Sequence, residues 1–286
     1  MKLAIGLPWY AGPDDNTAPF YMDLMMYFGA LRERSLWHPE APSAKAEGLT
    51  WLPPVDETFK GSAQEEFTEE EWKNLGRLEI MLINRSRLSM VGKAREMIVE
   101  DAQEWGADWL LWWDADMLFE VGAFLALWRN QKPICGALAF TARHPIHPVI
   151  YRMRTHEDPQ TKIEIIDGSD VVFDYPRDKL ISNEDIGGEL AFGAGVVLYD
   201  MKVFRELPQP WFNSTGCGED WFFCHRCAKY NIPRFVDTRV KTSHKEHQPR
   251  WANEQSYWLE REAAPESYKD VFGPGLARVQ KGQVLA

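Results

Sequence analysis

Two carboxylates, Asp114 and Asp116, directly follow the apolar run Trp109 to Trp113. Such a run bounded by polar residues reads as a strand buried on both faces, of the kind found inside parallel sheets. The aspartates then stand at the strand's C-terminal end. In open α/β sheets that edge is where ligands bind, and carboxylates there can hold a divalent cation and, through it, phosphate oxygens. Two further groups follow in order. Gly218-Glu219-Asp220 stands at an expected helix start, and Ser243-His244 comes shortly after an expected last strand from Arg234 to Val236. A well-placed carboxylate can act as a general base, and a neutral imidazole can ligate a metal.

The ordered set Asp114-Ala-Asp116, Glu219-Asp220 and His244 resembles the GT-A class of nucleotide-sugar-dependent glycosyltransferases, in particular the compact family-2-like enzymes of bacteria and their phages. The resemblance spans roughly residues 1 to 250. It implies an α/β fold with a mostly parallel central sheet flanked by helices and a smaller antiparallel region on the acceptor side. It also implies an Mn2+ or Mg2+ ion that clamps the diphosphate of a UDP- or GDP-sugar, with Asp116 as direct ligand, Asp114 contacting the ribose or a metal-bound water, and His244 as third ligand. His247 competes for that last place. Asp220 would be the base that takes the acceptor proton, and Glu219 would orient the acceptor. Arg95 resembles the arginine of an Ala-Arg-Asn pattern that faces the donor, although Glu96 stands here in place of Asn. Pro8 and Tyr10 match the place that receives the nucleobase, and Gly193, Ala194 and Gly195 match a small-residue strand lining donor or acceptor sugar.

Each of these groups also has a bland reading. An Asp-X-Asp sequence can be a solvated turn, acidic residues in a first helical turn favour the macrodipole, and an isolated surface His is usually inert. Cys224-His-Arg-Cys227 with Cys217 has one half of a zinc pattern, and on a helix the two cysteines share one face and pack as small apolar groups. Arg143, His144, His147, Arg152 and Arg154 form a cationic group that could meet an anionic acceptor or lie in a solvated loop.

The elements that must position these residues alternate. Leu3 to Leu7 reads as a strand ending at Pro8, and Tyr21, Leu24, Met25, Phe28 and Leu31 fall at helical spacing. Residues 36 to 75 lack a period and read as a surface excursion. Glu79 to Ile83 is an expected strand. Val91, Ala94, Ile98, Ala102 and Trp105 make a helical stripe that stops at Gly106. After the aspartate strand come an expected helix from Val121 to Asn130 and a buried strand from Pro133 to Ala139. From Val149 to Tyr175 shorter strands are separated by a turn at Asp167-Gly168. Ala191 to Tyr199 reads as one glycine-punctuated strand, Glu219 to Tyr230 as a helix, and the stretch from Trp251 to residue 286 as a tail without a readable fold.

The chain has 286 residues and a formal net charge of -11. That length allows a substantial core, and that charge argues against a surface built to grip a polyanion, since nucleic-acid affinity comes largely from Lys and Arg. An acidic protein that binds a diphosphate needs an intermediary. Like unit charges about 4 Å apart repel by roughly 4 kcal/mol at an effective dielectric of about 20, and a bound cation reverses the sign. The 13 Trp fit cores first and sugar or base stacking second. No signal peptide or membrane span is readable and the four Cys suit a reducing compartment, so a cytoplasmic protein is expected, in the host if phage-encoded. The acceptor is expected to be a carbohydrate or other small hydroxyl compound, with hydroxymethylated DNA bases as the alternative. A metal-dependent phosphoryl-transfer enzyme or nuclease and a non-catalytic sugar-nucleotide binding module are the rivals from other classes.

Overall fold

A computed structural model describes residues 1–8, 21, 25, 27–29, 68–85, 90–119, 122–157, 160, 164–213, 218–245 and 251–263. Twelve strands appear among them in chain order: β1 (Lys2–Leu7), β2 (Glu79–Asn84), β3 (Trp109–Trp113), β4 (Met117–Phe119), β5 (Ile134–Leu138), β6 (Ile150–Glu157), β7 (Glu164–Val171), β8 (Leu180–Ile181), β9 (Glu189–Phe192), β10 (Val196–Asp200), β11 (Phe235–Lys245) and β12 (Trp251–Ala252). The helices are α1 (Glu69–Leu75), α2 (Val91–Trp105), α3 (Ala123–Arg129), α4 (Asn183–Ile186), α5 (Lys202–Glu206), α6 (Glu219–Lys229) and α7 (Glu254–Ala263).

The main sheet runs β12-β11-β5-β10-β3-β1-β2, with β4 and β8 added against β11. Strands β2, β1 and β3 are mutually parallel, as are β5 and β11, and β10 lies antiparallel between β3 and β5. Strands β7, β6 and β9 form a separate antiparallel sheet. The α/β architecture expected from the sequence, a mostly parallel sheet flanked by helices with a smaller antiparallel region, is thus present.

The aspartate strand is buried on both faces, as its composition demands. Leu110 and Trp112 pack with Ile98, Val99 and Ala102 of α2 on one face. Leu111 and Trp113 pack with Phe124 and Leu127 of α3 on the other. Each fully buried side chain of this kind contributes about 1.5–3 kcal/mol from removal of apolar surface. Helices on both faces leave the ends of β1 and β3 as the polar edge of the sheet.

Several local expectations need correction. Ala191 to Tyr199 is two strands, because the chain leaves the small sheet at Phe192 and enters the main sheet at Val196. Asp167-Gly168 is no turn: β7 runs through it, and the register shift against Arg154 and Thr155 absorbs the extra residue. The strand expected at Arg234 to Val236 continues to Lys245, so His244 lies within β11. Of the 36–75 excursion, Glu69–Leu75 is a helix closed by a capping box between Thr68 and Glu71, and the rest up to residue 67 lies outside the described residues. Trp251 and Ala252 pair with β11, and Tyr257 of α7 is fully buried, so this part of the expected tail belongs to the core. Residues 264–286 lie outside the described set.

Candidate functional site

The turn after β3 is wired at both ends. Asp114 N–H donates to the Gly195 carbonyl (2.9 Å) and Met117 N–H donates back to the Asp114 carbonyl (3.1 Å). Met117 then opens β4, which pairs with β11 in a register that sets His244 opposite Met117. Lys245 N–H donates to the Asp116 carbonyl (2.9 Å). Sheet pairing therefore brings His244 beside Asp116, with Nε2 3.2 Å from Oδ2. On its other side the ring is fixed at Nδ1, 2.8 Å from the Phe140 carbonyl. A carbonyl only accepts, so Nδ1 carries the proton and Nε2 is the nitrogen presented to Asp116. An imidazole held this way by a backbone carbonyl is oriented as metal-binding histidines are. Burial disfavours the charged ring, but the hydrogen bond and charge of Asp116 outweigh it and raise the His244 pKa. Burial likewise opposes the Asp116 carboxylate, and His244 nevertheless holds its pKa below the ordinary value.

Arg95 is the centre of the other half. It projects from α2 and is 2% exposed. One guanidinium nitrogen, Nη1, donates to Asp220 Oδ1. The other, Nη2, meets Asp114 Oδ2 at 3.1 Å and stands 3.8 Å from Glu219 Oε1. The guanidinium carbon lies 5.2 Å from the Trp112 ring centroid and 5.9 Å from that of Phe212, so aromatic faces help a buried cation that water cannot reach. Burial works against the charged guanidinium, yet the three carboxylates raise its pKa further. Burial also pushes the Asp114 carboxyl up to about 7, against the pull of Arg95 and with Asp116, Asp220 and Glu219 adding to the rise.

Glu219 and Asp220 open α6, whose preceding residue Gly218 has φ +90°. That conformation is in the region only glycine enters freely, so Gly218 sets the angle at which the acidic pair enters the site. The second Asp220 oxygen, Oδ2, accepts from Ala194 N–H at 3.0 Å. Gly193 and Gly195 flank that amide at the crossing between the sheets. A Cβ at Gly193 would lie 2.7 Å from Val149 Cγ1, and one at Gly195 would lie 3.1 Å from Met117 Cγ. Protein packing explains both glycines.

The expected site residues are thus largely brought together at one sheet edge: Asp114, Asp116, Arg95, Gly193, Gly195, Glu219, Asp220 and His244. Pro8 ends β1 at the same edge, while Tyr10 and His247 lie outside the described residues. Among the described residues no group of three His, Cys, Asp or Glu side chains forms a ready metal cage, and Asp114 is hydrogen-bonded to Arg95. Asp116 and His244 remain as a two-residue donor set. A carboxylate and an imidazole could hold a divalent cation such as Mn2+, with water and substrate oxygens completing its shell.

The cationic group also resolves differently from its sequence. Arg152 and Arg154 share Asp170 at 3.1 and 3.0 Å, His144 lies 2.6 Å from Glu260, and His147 is buried, which lowers its pKa. Cys224 and Cys227 are buried in apolar surroundings, and Cys217 lies outside the described residues. Trp112, Phe212 and the Phe140 carbonyl are site components that sequence reasoning missed. Trp112 looked like core, and Phe212 sits in an irregular stretch without periodicity.

Compared by sequence, the chain matches no family model and no curated protein. Its structure is similar to that of A197 from STIV, with 10% identity and a TM-score of 0.43 over 88% of this chain and 93% of that one. It is similar to GalNAc-T7 with UDP, GalNAc and Mn2+, with 13% identity and a TM-score of 0.40 over 94% of this chain and 49% of that one. The chain therefore spans about half of GalNAc-T7. S. aureus TarS is a third likeness, at 11% identity and a TM-score of 0.36 over 94% of this chain and 66% of that one. At these identities and TM-scores no residue role follows from the likeness.

Proposed function

We propose that this protein is a metal-dependent glycosyltransferase of the GT-A type, which moves a sugar from a UDP- or GDP-linked donor to an acceptor hydroxyl of a carbohydrate or other small molecule. The observation that carries the reading is the division of one sheet edge into two halves. Asp116 and His244 present a carboxylate and an oriented imidazole on one side, and the acidic pair of α6 stands on the other, tied to Asp114 by buried Arg95.

Asp116 and His244 would hold the cation, which when bound offsets charge on the departing diphosphate. Asp114, hydrogen-bonded to Arg95, would contact the ribose or a water of the cation's shell. The acidic pair supplies the group that accepts the acceptor's proton as its oxygen attacks the anomeric carbon. Gly193 to Gly195 carry the backbone between the two halves and fix Asp220 through the Ala194 amide.

The test is product analysis after incubation with UDP-glucose, UDP-GlcNAc and GDP-mannose in Mn2+. Free sugar or a glycosylated acceptor together with nucleoside diphosphate is expected. Sugar phosphate with nucleoside monophosphate would make this a phosphoryl-transfer enzyme, and binding without any product would make it a binding module.

A further inference from the structure

Glu219 and Asp220 are adjacent carboxylates of similar exposure, 21% and 23%, so access to the site does not separate them. Their partners do. Asp220 gives Oδ1 to the Arg95 guanidinium and Oδ2 to the Ala194 amide, while Glu219 approaches Arg95 only to 3.8 Å, beyond hydrogen-bond reach. Arg95 itself is 2% exposed, and among the described residues its Nε has no hydrogen-bond partner. Asp114 and Asp220 are the two carboxyl groups hydrogen-bonded to it.

We propose that Arg95 commits Asp220 to anchoring the site and leaves Glu219 as the group that takes the acceptor proton. The inference rests on the glycosyl-transfer reading above and reverses the roles that the resemblance implies for the pair. Its physical basis is geometric. Both oxygens of Asp220 already accept hydrogen bonds, one from the buried guanidinium of Arg95 and one from the Ala194 amide, whereas Glu219 only approaches Arg95, at 3.8 Å. A hydroxyl bound to Asp220 would have to compete with that anchoring, and one bound to Glu219 would leave it intact. In the transfer step the acceptor O–H proton passes to the Glu219 carboxylate as the acceptor oxygen bonds to the anomeric carbon. The bond from that carbon to the diphosphate oxygen breaks, its electron pair leaves with the nucleoside diphosphate, and Glu219 releases the proton to solvent. Arg95 is a positioning residue in this scheme: a lysine in its place carries the charge but cannot fork to two carboxylates.

The test compares E219Q, E219D, D220N and R95K in two measurements. In thermal unfolding without ligand, E219Q should keep the wild-type Tm, whereas D220N and R95K should both lower it. In turnover of UDP-glucose or UDP-GlcNAc with Mn2+, E219Q should lose a factor of about 100 to 10,000 in kcat at unchanged donor KM, with partial recovery in E219D. D220N and R95K should retain more kcat than E219Q. A D220N protein at wild-type Tm with collapsed kcat, beside an active E219Q, would overturn the assignment. So would an E219Q protein that loses as much Tm as D220N. Absence of turnover by the wild-type protein with every donor would instead remove the glycosyl-transfer reading and the base with it, while the Tm order still reports whether Arg95 anchors on Asp220.

Discussion

At Gly193 a methyl group would stand 2.7 Å from Val149 Cγ1 and 3.8 Å from Asp220 Oδ2. The neighbouring Ala194 amide holds that same Asp220 oxygen, so backbone displaced by the clash would carry away an anchor of the acidic pair. Gly193→Ala is therefore expected to cost about 1–3 kcal/mol of stability, the usual penalty for overpacking, and to reduce turnover as well. Val149→Ala in the same chain should restore most of both, read by chemical denaturation and donor turnover. A G193A protein with normal stability and activity would show that the sheet crossing tolerates the shift. The same residue-scale logic separates the aspartates. Asp114 is committed to Arg95, whereas Asp116 touches only His244 among the side-chain contacts of the cluster.

Among the elements, β11 does the most to build the Asp116–His244 side of the site, and it is held by Asp237. That side chain is 1% exposed. It accepts from Asn130 of the residue following α3 at 2.8 Å, from Arg239 N–H at 3.0 Å, and from the Arg239 guanidinium at 2.8 and 2.7 Å. The strand's register against β5 shifts between Asp237 and Lys241, immediately before the stretch that pairs with β4 and delivers His244. Burial alone would raise the Asp237 pKa, but the hydrogen bonds from Arg239 and Asn130 outweigh it and hold the value below normal. A depressed native pKa means stabilisation that is present above the unfolded-state value and is lost as pH falls through the native one. Asp237→Asn should cost about 1.5–3 kcal/mol near neutrality, the range for a hydrogen bond to a charged group. Urea unfolding from about pH 7 to about pH 3 should show the wild-type and variant curves converging at the acid end, across the range where carboxylates titrate. A pH-independent gap would mean that shape, and not charge, supports the bend.

This strand also shows what was legible beforehand. The alternation Val240 and Thr242 inward, Arg239 and Lys241 outward, is a strand signal that a search for apolar runs passes over, because the inward threonine is held by a hydrogen bond to the Leu138 carbonyl. By contrast the extents of β3 and α2 were readable, β3 from its continuous apolar run and α2 from the buried stripe Ala94, Ile98 and Ala102, although Val91 is exposed and Arg95 and Glu96 are buried beside that stripe. Gly193 to Gly195 were read as a strand lining a ligand, but two strands of different sheets cannot be told from one by composition. The candidate carboxylates, Arg95 and His244 were readable as residue types in order. Their partners were not, because Ala194 N–H and the Phe140 carbonyl are backbone groups without a sequence signature.

For the whole molecule, the charge of -11 and the four carboxylates gathered at one edge set the central constraint. Arg95 offsets only part of that charge, and Arg152 and Arg154, which could have met a phosphate backbone, are turned to Asp170. Among the described residues no helix is long and apolar enough to cross a membrane. A nucleoside diphosphate approaching this edge meets like charge unless a cation comes with it. Calorimetric titration of UDP into the wild-type protein and into Asp116→Ala, each with and without Mn2+, tests that claim most directly. Wild-type affinity should rise with Mn2+ and the rise should vanish in the variant, a loss of roughly 10- to 100-fold or more, as found when even outer partners of metal ligands are removed. Wild-type affinity that ignores Mn2+, or an Asp116→Ala protein that keeps the full metal response, would contradict the account.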